Sequence, residues 1–261
     1  MTVVHPFEDP LVIAGQGTIA AEILDDELAK GVEAVICPIG RGGLISGIAT
    51  YLKTTSPAIT IIGVEANSCP AMKISLQYGH PIQLESASSL ADGIAVKRVG
   101  QMNFEIVKKY VNEVVTVEED EIANAILLLL EAEKIVAEGA GAVPLAALLN
   151  HRVPLEGKKV LSVISGGNID VNILDKVIMR GLSVEGRITQ LTVRLKDLPG
   201  SLTSVLEIIK RLHVNILDII HHRFDSSAPF GCVDVSITLE TKGHPHIQEI
   251  RQALKEGGYS I

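Results

Sequence analysis

Tryptophan is absent from the 261 residues, which contain only four phenylalanines and four tyrosines. That leaves no aromatic platform of the kind single-stranded nucleic acids stack on. Positive charge is also short: 23 Lys and Arg stand against 31 Asp and Glu, for a formal charge of −8. A basic field for nucleic acid is therefore excluded. The longest apolar run, Ala125 to Leu130, falls far below the roughly 18 residues of a membrane span. The stretch Met1 to Pro10 has neither a basic n-region nor an apolar h-region, so nothing in it marks the chain for secretion. The three cysteines, Cys37, Cys69 and Cys232, are odd in number and form no CxxC pair. They read as reduced thiols of a cytoplasmic protein. What is present is ample aliphatic material, with 47% hydrophobic and 21% charged residues. The core must be built from Ile, Leu, Val and Ala. At roughly 150 residues per domain, the length suits one large or two ordinary domains.

Up to about residue 180, β-rich runs alternate with helical patterns. A helix is expected over Thr18 to Lys30, with Ile19, Ala20, Ile23, Leu24 and Leu28 on one face and Gly31 as its stop. The apolar run Ala34 to Ile39 reads as a strand buried on both faces. A glycine cluster, a helix to about Lys53 and a strand over Ile59 to Val64 follow. An acidic-led helix is expected from Glu118, carrying Ile122, Ile126 and Leu130 inward, and a strand over Lys159 to Ile164 closes the set. Such alternation implies an α/β fold, a parallel sheet covered on both faces. Gly181 to Arg187 reads as a linker. Residues 188–261 then read β, α, β, β, α and a short final strand near Tyr259, a ferredoxin-like βαββαβ module. The alternation in Cys232 to Leu239 leaves one face of its sheet polar.

Two loops carry chemistry. Gly40-Arg41-Gly42-Gly43-Leu44 lies between a buried strand and a helix, where bare backbone N–H groups and the helix N-terminus can cradle a phosphate. Ile45 breaks the dinucleotide fingerprint and no Gly-Lys-Ser/Thr follows, so it is neither a Rossmann loop nor a P-loop. The plain alternative is a glycine turn packed beneath a helix. Ser165-Gly166-Gly167-Asn168 ends the last strand of this half, at the same C-terminal rim of the sheet where ligands bind. A serine hydroxyl there can hydrogen-bond a neutral ring nitrogen without protonating it; the alternative is a helix cap. Together the loops suggest a site for a phosphorylated heteroaromatic cofactor.

These motifs have company. His5 to Pro10, Gly15 to Ile19, Pro38 to Gly47, Gly63-Val64-Glu65, Ala91 to Val96, Glu138 to Ala142 and Ser165 to Asp170 occur in an order and spacing that resembles the threonine dehydratases. These are pyridoxal-phosphate enzymes of the tryptophan-synthase-β type. The likeness covers nearly all of the first 180 residues. Asp197 to Leu202, in the C-terminal module, resembles an ACT domain. The resemblance implies that pyridoxal 5′-phosphate is the cofactor, that Gly40, Arg41, Gly42, Gly43 and Leu44 hold its phosphate, that Gly93 lies beside its ring and that Ser165 faces its nitrogen. It implies an effector site at Asp197, Pro199, Gly200 and Asn215, formed across a dimer interface; the plain alternative is a ferredoxin-like dimerisation module with no ligand. Arg41 stands where the family usually has glycine: either the position needs a positive φ and is strained, or the guanidinium adds a phosphate contact. Some relatives hold a cation after Gly-Val-Glu, but here Glu65 is followed by Cys69 and Ala71, which is too few carboxylates for a hard cation. No metal is expected.

The family's Schiff-base lysine and its Ser-x-Gly-Asn-His loop for the substrate carboxylate both precede the His-Pro-Phe motif. The expectation is therefore that this chain supplies no catalytic residue of its own, that it leaves apolar surface uncovered, and that residues 1–180 are the C-terminal half of a catalytic domain. The implied activity is deamination of L-threonine to 2-oxobutyrate, with serine slower; within the family, serine dehydratase or serine racemase activity is the neighbouring possibility. The alternative is an amino-acid-sensing ACT protein, responsive to isoleucine or valine, without its own catalysis. Expected partners are a small amino-acid substrate and effector, and either further copies of the chain or a complementing N-terminal chain. Nucleic acid and membrane are not expected.

Overall fold

The computed structural model describes residues 7–223 and 228–261. His5 and Pro6 of the first motif lie outside the described residues. The chain divides into two compact units, Met1–Val177 and Ile178–Ile261.

In the first unit, α1 (Pro10–Gln16) and α2 (Thr18–Asp25) precede strand β1 (Ala34–Pro38), α3 (Gly43–Thr55) and β2 (Thr60–Ala66). Then come α4 (Ala71–Tyr78), α5 (Gln101–Tyr110), β3 (Glu113–Val117), α6 (Glu119–Leu128), α7 (Gly139–Leu149) and β4 (Val160–Ser162). The strands are parallel in the order β3-β2-β1-β4. Alternation along β1 divides the core between two layers, as side chains of a strand must. Ala34 and Ile36 join Ile62, Val64, Ile122, Ile126 and Val143 on one face. Val35 and Cys37 join Ile45, Ile48, Leu52, Ile61 and Phe104 on the other. The α/β expectation holds, with differences in detail. Helix α2 stops at Asp25, because Asp26 turns extended and its carboxylate accepts from Leu28 N–H at 2.8 Å, starting a short 3-10 turn. Helix α6 starts with the capping box of Glu118 and Glu121, then widens into a π turn over Leu129–Glu133. That widening turns Leu129 inward and leaves Leu130 half-buried. Strand β4 is half-buried at the sheet edge and not fully enclosed like β1.

Helix α8 (Val171–Val184) runs through most of the stretch expected as a linker. Gly181 is a helical residue, and only Glu185, Gly186 and Arg187 separate α8 from the next strand. In the second unit, β5 (Ile188–Lys196), α9 (Ser201–Arg211), β6 (Asn215–His222), β7 (Cys232–Glu240) and α10 (His244–Glu256) build an antiparallel sheet of order β5-β7-β6. Ser260 bridges Arg194 on the free side of β5. That is the strand order of a ferredoxin-like module with a one-residue fourth strand. Leu191, Val193, Val205, Ile209, Val235, Ile237, Ile250 and Leu254 form its core. The other face of the sheet is polar, as expected. Arg194 meets Asp234 through two hydrogen bonds of 2.7 Å, and Ser236 Oγ lies between Thr192 Oγ1 and His222 Nε2.

Candidate functional site

The glycine loop leaves the C-terminal edge of the sheet where Ile39 N–H donates to the Val64 carbonyl at 2.8 Å. Gly42 takes the left-handed conformation (φ 95°, ψ 2°) and is the N-cap of α3. With no side-chain cap there, the first-turn N–H groups of α3 lack intrahelical partners and form an anion seat. The backbone is closely hemmed in. A Cβ at Gly40 would lie 3.1 Å from Ile94 Cα, and one at Gly42 would lie 2.9 Å from Asn103 Cβ. At Gly42 the positive φ and this contact together call for glycine, while at Gly40 a side chain would fit only if Ile94 gave way slightly.

The other loops converge on this one. Gly40, Arg41, Gly42, Gly43, Leu44, Gly93 and Ser165 all line one pocket of about 180 Å³. Every cofactor residue expected from the sequence is therefore in a single place. The glycines of the remaining motifs make the same fit: a Cβ at Gly141 would lie 2.4 Å from the Ser165 carbonyl, and one at Gly166 (φ 88°) only 2.2 Å from Glu138 Oε1. Arg41 is not among the residues with positive φ, so it carries no left-handed strain. Its guanidinium lies 5.4 Å from the centroid of the Phe7 ring, at the pocket mouth. Glu138 also lines the pocket, a wall position that its place in a glycine-rich rim motif did not disclose. Burial, then the nearby Asp92 charge, push its carboxyl above the usual range, against a backbone hydrogen bond from Asn168. A bare-backbone anion seat, a side-chain-free wall at Gly93 and a neutral hydroxyl at Ser165, all lining one pocket, together fit a flat phosphorylated heterocycle. Among the described residues no lysine lines the pocket.

Glu65 is fully buried, and both of its oxygens are engaged: Met72 N–H donates at 2.7 Å and Lys73 N–H at 2.8 Å. It caps α4 from the end of β2. Burial raises its pKa to about 7 despite those two bonds.

In the second unit, Asp197, Pro199 and Gly200 line a cavity of about 390 Å³ at the start of α9. Asn215 does not belong to it. Both β5 and β6 run antiparallel to β7, so they run parallel to one another, and Asn215 begins β6 at the end far from the loop after β5. Its Nδ2 instead donates to Glu240 Oε2 at 3.1 Å. The residues β6 brings to the cavity are those near its other end, His221 and Arg223. Arg223 Nη1 donates to both Asp197 oxygens, at 3.0 and 3.1 Å. The sequence signal for them was available in the strand direction, which fixes which end of β6 meets the loop.

Comparison with known proteins gives a consistent result. Residues 1–166 match the family described as pyridoxal-phosphate dependent enzyme. An L-threonine ammonia-lyase of Thermotoga maritima is 48% identical over 258 residues, which cover 99% of this chain and 64% of that protein. One from Geobacter sulfurreducens is 50% identical with the same coverage of each. The chain thus spans a little under two thirds of the length of these relatives. Among solved structures, a threonine deaminase from T.th. superposes with a TM-score of 0.60 at 40% identity, over 64% of this chain and 62% of that one. A threonine deaminase isoform from Solanum lycopersicum gives 0.63 at 35% identity, over 68% and 52%.

Proposed function

The chain belongs to the pyridoxal-phosphate dependent enzyme family, and from that premise we propose that its first unit is the cofactor-holding part of a threonine ammonia-lyase. The reaction converts L-threonine to 2-oxobutyrate and ammonia; one water is lost with the β-hydroxyl and one is regained on hydrolysis, so none appears in the balance. Serine is the slower substrate. The observation that carries this reading is the single pocket in which Gly40 to Leu44, Gly93 and Ser165 meet. The bound cofactor supplies an electron-withdrawing ring that eases loss of the α-proton and the β-hydroxyl. The chain's own part is binding and orientation. Backbone N–H groups at the start of α3 would hold the phosphate, Gly93 would line the wall beside the ring, and the Ser165 hydroxyl would meet the ring nitrogen without protonating it. A neutral partner there favours elimination over transamination.

The amine that the family's chemistry requires comes, in this reading, from polypeptide outside these 261 residues, either continuous with them or on a complementing chain. Borohydride reduction of this chain with pyridoxal 5′-phosphate, followed by peptide mass mapping, is expected to give no pyridoxyl-lysine. An adduct at one specific lysine would overturn the assignment. A preparation completed to the length of the relatives is expected to release 2-oxobutyrate from threonine. If it binds the cofactor yet yields no 2-oxo acid from threonine or serine, the activity is wrong.

Residues 188–261 carry the second reading, an ACT-type regulatory domain for a branched-chain amino acid in a cytoplasmic homo-oligomer. The observation favouring it is the cavity beside Gly200, where Arg223 offers a guanidinium to a ligand carboxylate in exchange for Asp197. Calorimetry of the chain with isoleucine or valine is expected to give saturable heat that Arg223→Ala abolishes.

A further inference from the structure

Asn103 lies on α5, behind the anion loop and outside the pocket wall. Its side chain is fully buried. The Nδ2 group donates to the Arg41 carbonyl at 3.0 Å and to the Phe7 carbonyl at 2.7 Å. Gly100 N–H donates to the same Arg41 carbonyl at 3.3 Å. Gly42 is bare on the side facing Asn103, where a Cβ would lie 2.9 Å from Asn103 Cβ. The side-chain Oδ1, by contrast, is buried with no partner. A buried orphan acceptor costs stability, so an apolar residue of the same shape would serve packing better. What asparagine contributes here is a pair of N–H donors, one holding the loop at Arg41 and one holding the Phe7 carbonyl beside it.

The peptide geometry says what those donors do. The Arg41 carbonyl and the Gly42 N–H belong to one planar trans peptide and point in opposite directions. Anchoring the carbonyl back toward α5 turns the Gly42 N–H away from α5, toward the pocket. We infer that Asn103 is a positioning residue for the phosphate cradle: it fixes the Arg41–Gly42 peptide so that the cradle is formed before any anion arrives. This rests on the reading of Gly40 to Leu44 as a phosphate site.

The test uses the whole chain labelled with ¹⁵N-glycine and titrated with inorganic phosphate and with pyridoxal 5′-phosphate. In the unaltered chain, the amide signals of Gly42 and Gly43 are expected to move with both ligands. In Asn103→Asp, which keeps the shape but loses both donors, affinity for both is expected to fall roughly tenfold or more, and the Gly42 signal to shift even without ligand. Signals from Gly200 and Gly231, in the second unit, stay in place. Asn103→Ala is the second variant, free of the buried charge that could unfold the first. If the unaltered chain shows no response to either ligand, the cradle reading fails and this inference with it. If it responds and the variants bind as tightly as it does, the inference alone fails. It fails too if affinity drops only in proportion to the folded fraction read from the same spectra, since that is the mark of packing and not of positioning.

Discussion

The two units each place a left-handed glycine at the start of a helix that follows a strand, and the two turns are built differently. Gly42 (φ 95°) is boxed in by Asn103 and Met72, so its backbone has one available course. Gly200 (φ 89°) has nothing within 4 Å of where a Cβ would stand. Around Gly42 the polar atoms are backbone groups fixed by a buried amide. Around Gly200 they are exposed side chains, with Asp197 and Arg223 pairing across the cavity at 41% and 54% side-chain exposure. The same helix-terminus physics therefore gives a preformed seat in one unit and an adjustable one in the other. A preformed seat suits a resident cofactor, and an adjustable one suits an effector that comes and goes.

Substitution of the two glycines probes that difference most strongly. Gly42→Ala combines a strained φ with a collision against Asn103, and is expected to cost about 2–4 kcal/mol in denaturant unfolding and to remove phosphate binding. Gly200→Ala carries the conformational penalty alone, about 1 kcal/mol. Equal effects at the two sites would break the comparison.

A smaller effect lies in pH dependence, where the units should respond in opposite directions. In the first, burial lifts Glu65 from 4.5 to about 7, so folding favours its protonated form. The stability this contributes is present below 4.5 and is lost as pH rises through about 7. Denaturation midpoints measured from about pH 5 to about pH 8 should fall with pH, and Glu65→Gln should flatten that slope. In the second unit, the hydrogen bonds from Arg194 hold Asp234 below the ordinary carboxylate range. Its contribution is present above the ordinary value of 3.8 and is lost as pH drops through the folded value. Amide exchange in β7 should therefore accelerate in acid, and Arg194→Ala should remove the acid-dependent part. The smallest change is that from Arg223→Ala, whose exposed ion pair should alter stability by no more than about 0.5 kcal/mol in thermal unfolding.

Much of this was legible along the chain, and what was not has identifiable causes. Strand β1 is an apolar run and β2 is one from Ile61 to Val64, and the pocket loops follow strands at the edge where parallel sheets bind ligands, so their meeting could be foreseen. Helix α7 gave no amphipathic signal because it is buried nearly all round, with Pro144 inside it. Strand β3 is only five residues long, and its Glu113-Val114-Val115-Thr116-Val117 pattern is easily missed between two helices. Asn215 lies away from the cavity of its own chain, because β6 runs parallel to β5 and meets the loop after β5 with its other end. Asn103 had no local signature at all. Its role depends on a hydrogen bond to a carbonyl 62 positions earlier in the chain, which no periodicity reports.

Hydrogen–deuterium exchange of the chain with and without pyridoxal 5′-phosphate tests the central claim directly. Exchange should slow at residues 40–47, 91–95 and 165–168 and stay unchanged at 197–203. Protection confined to 197–203, or binding that leaves residues 40–47 exchanging as before, would contradict it.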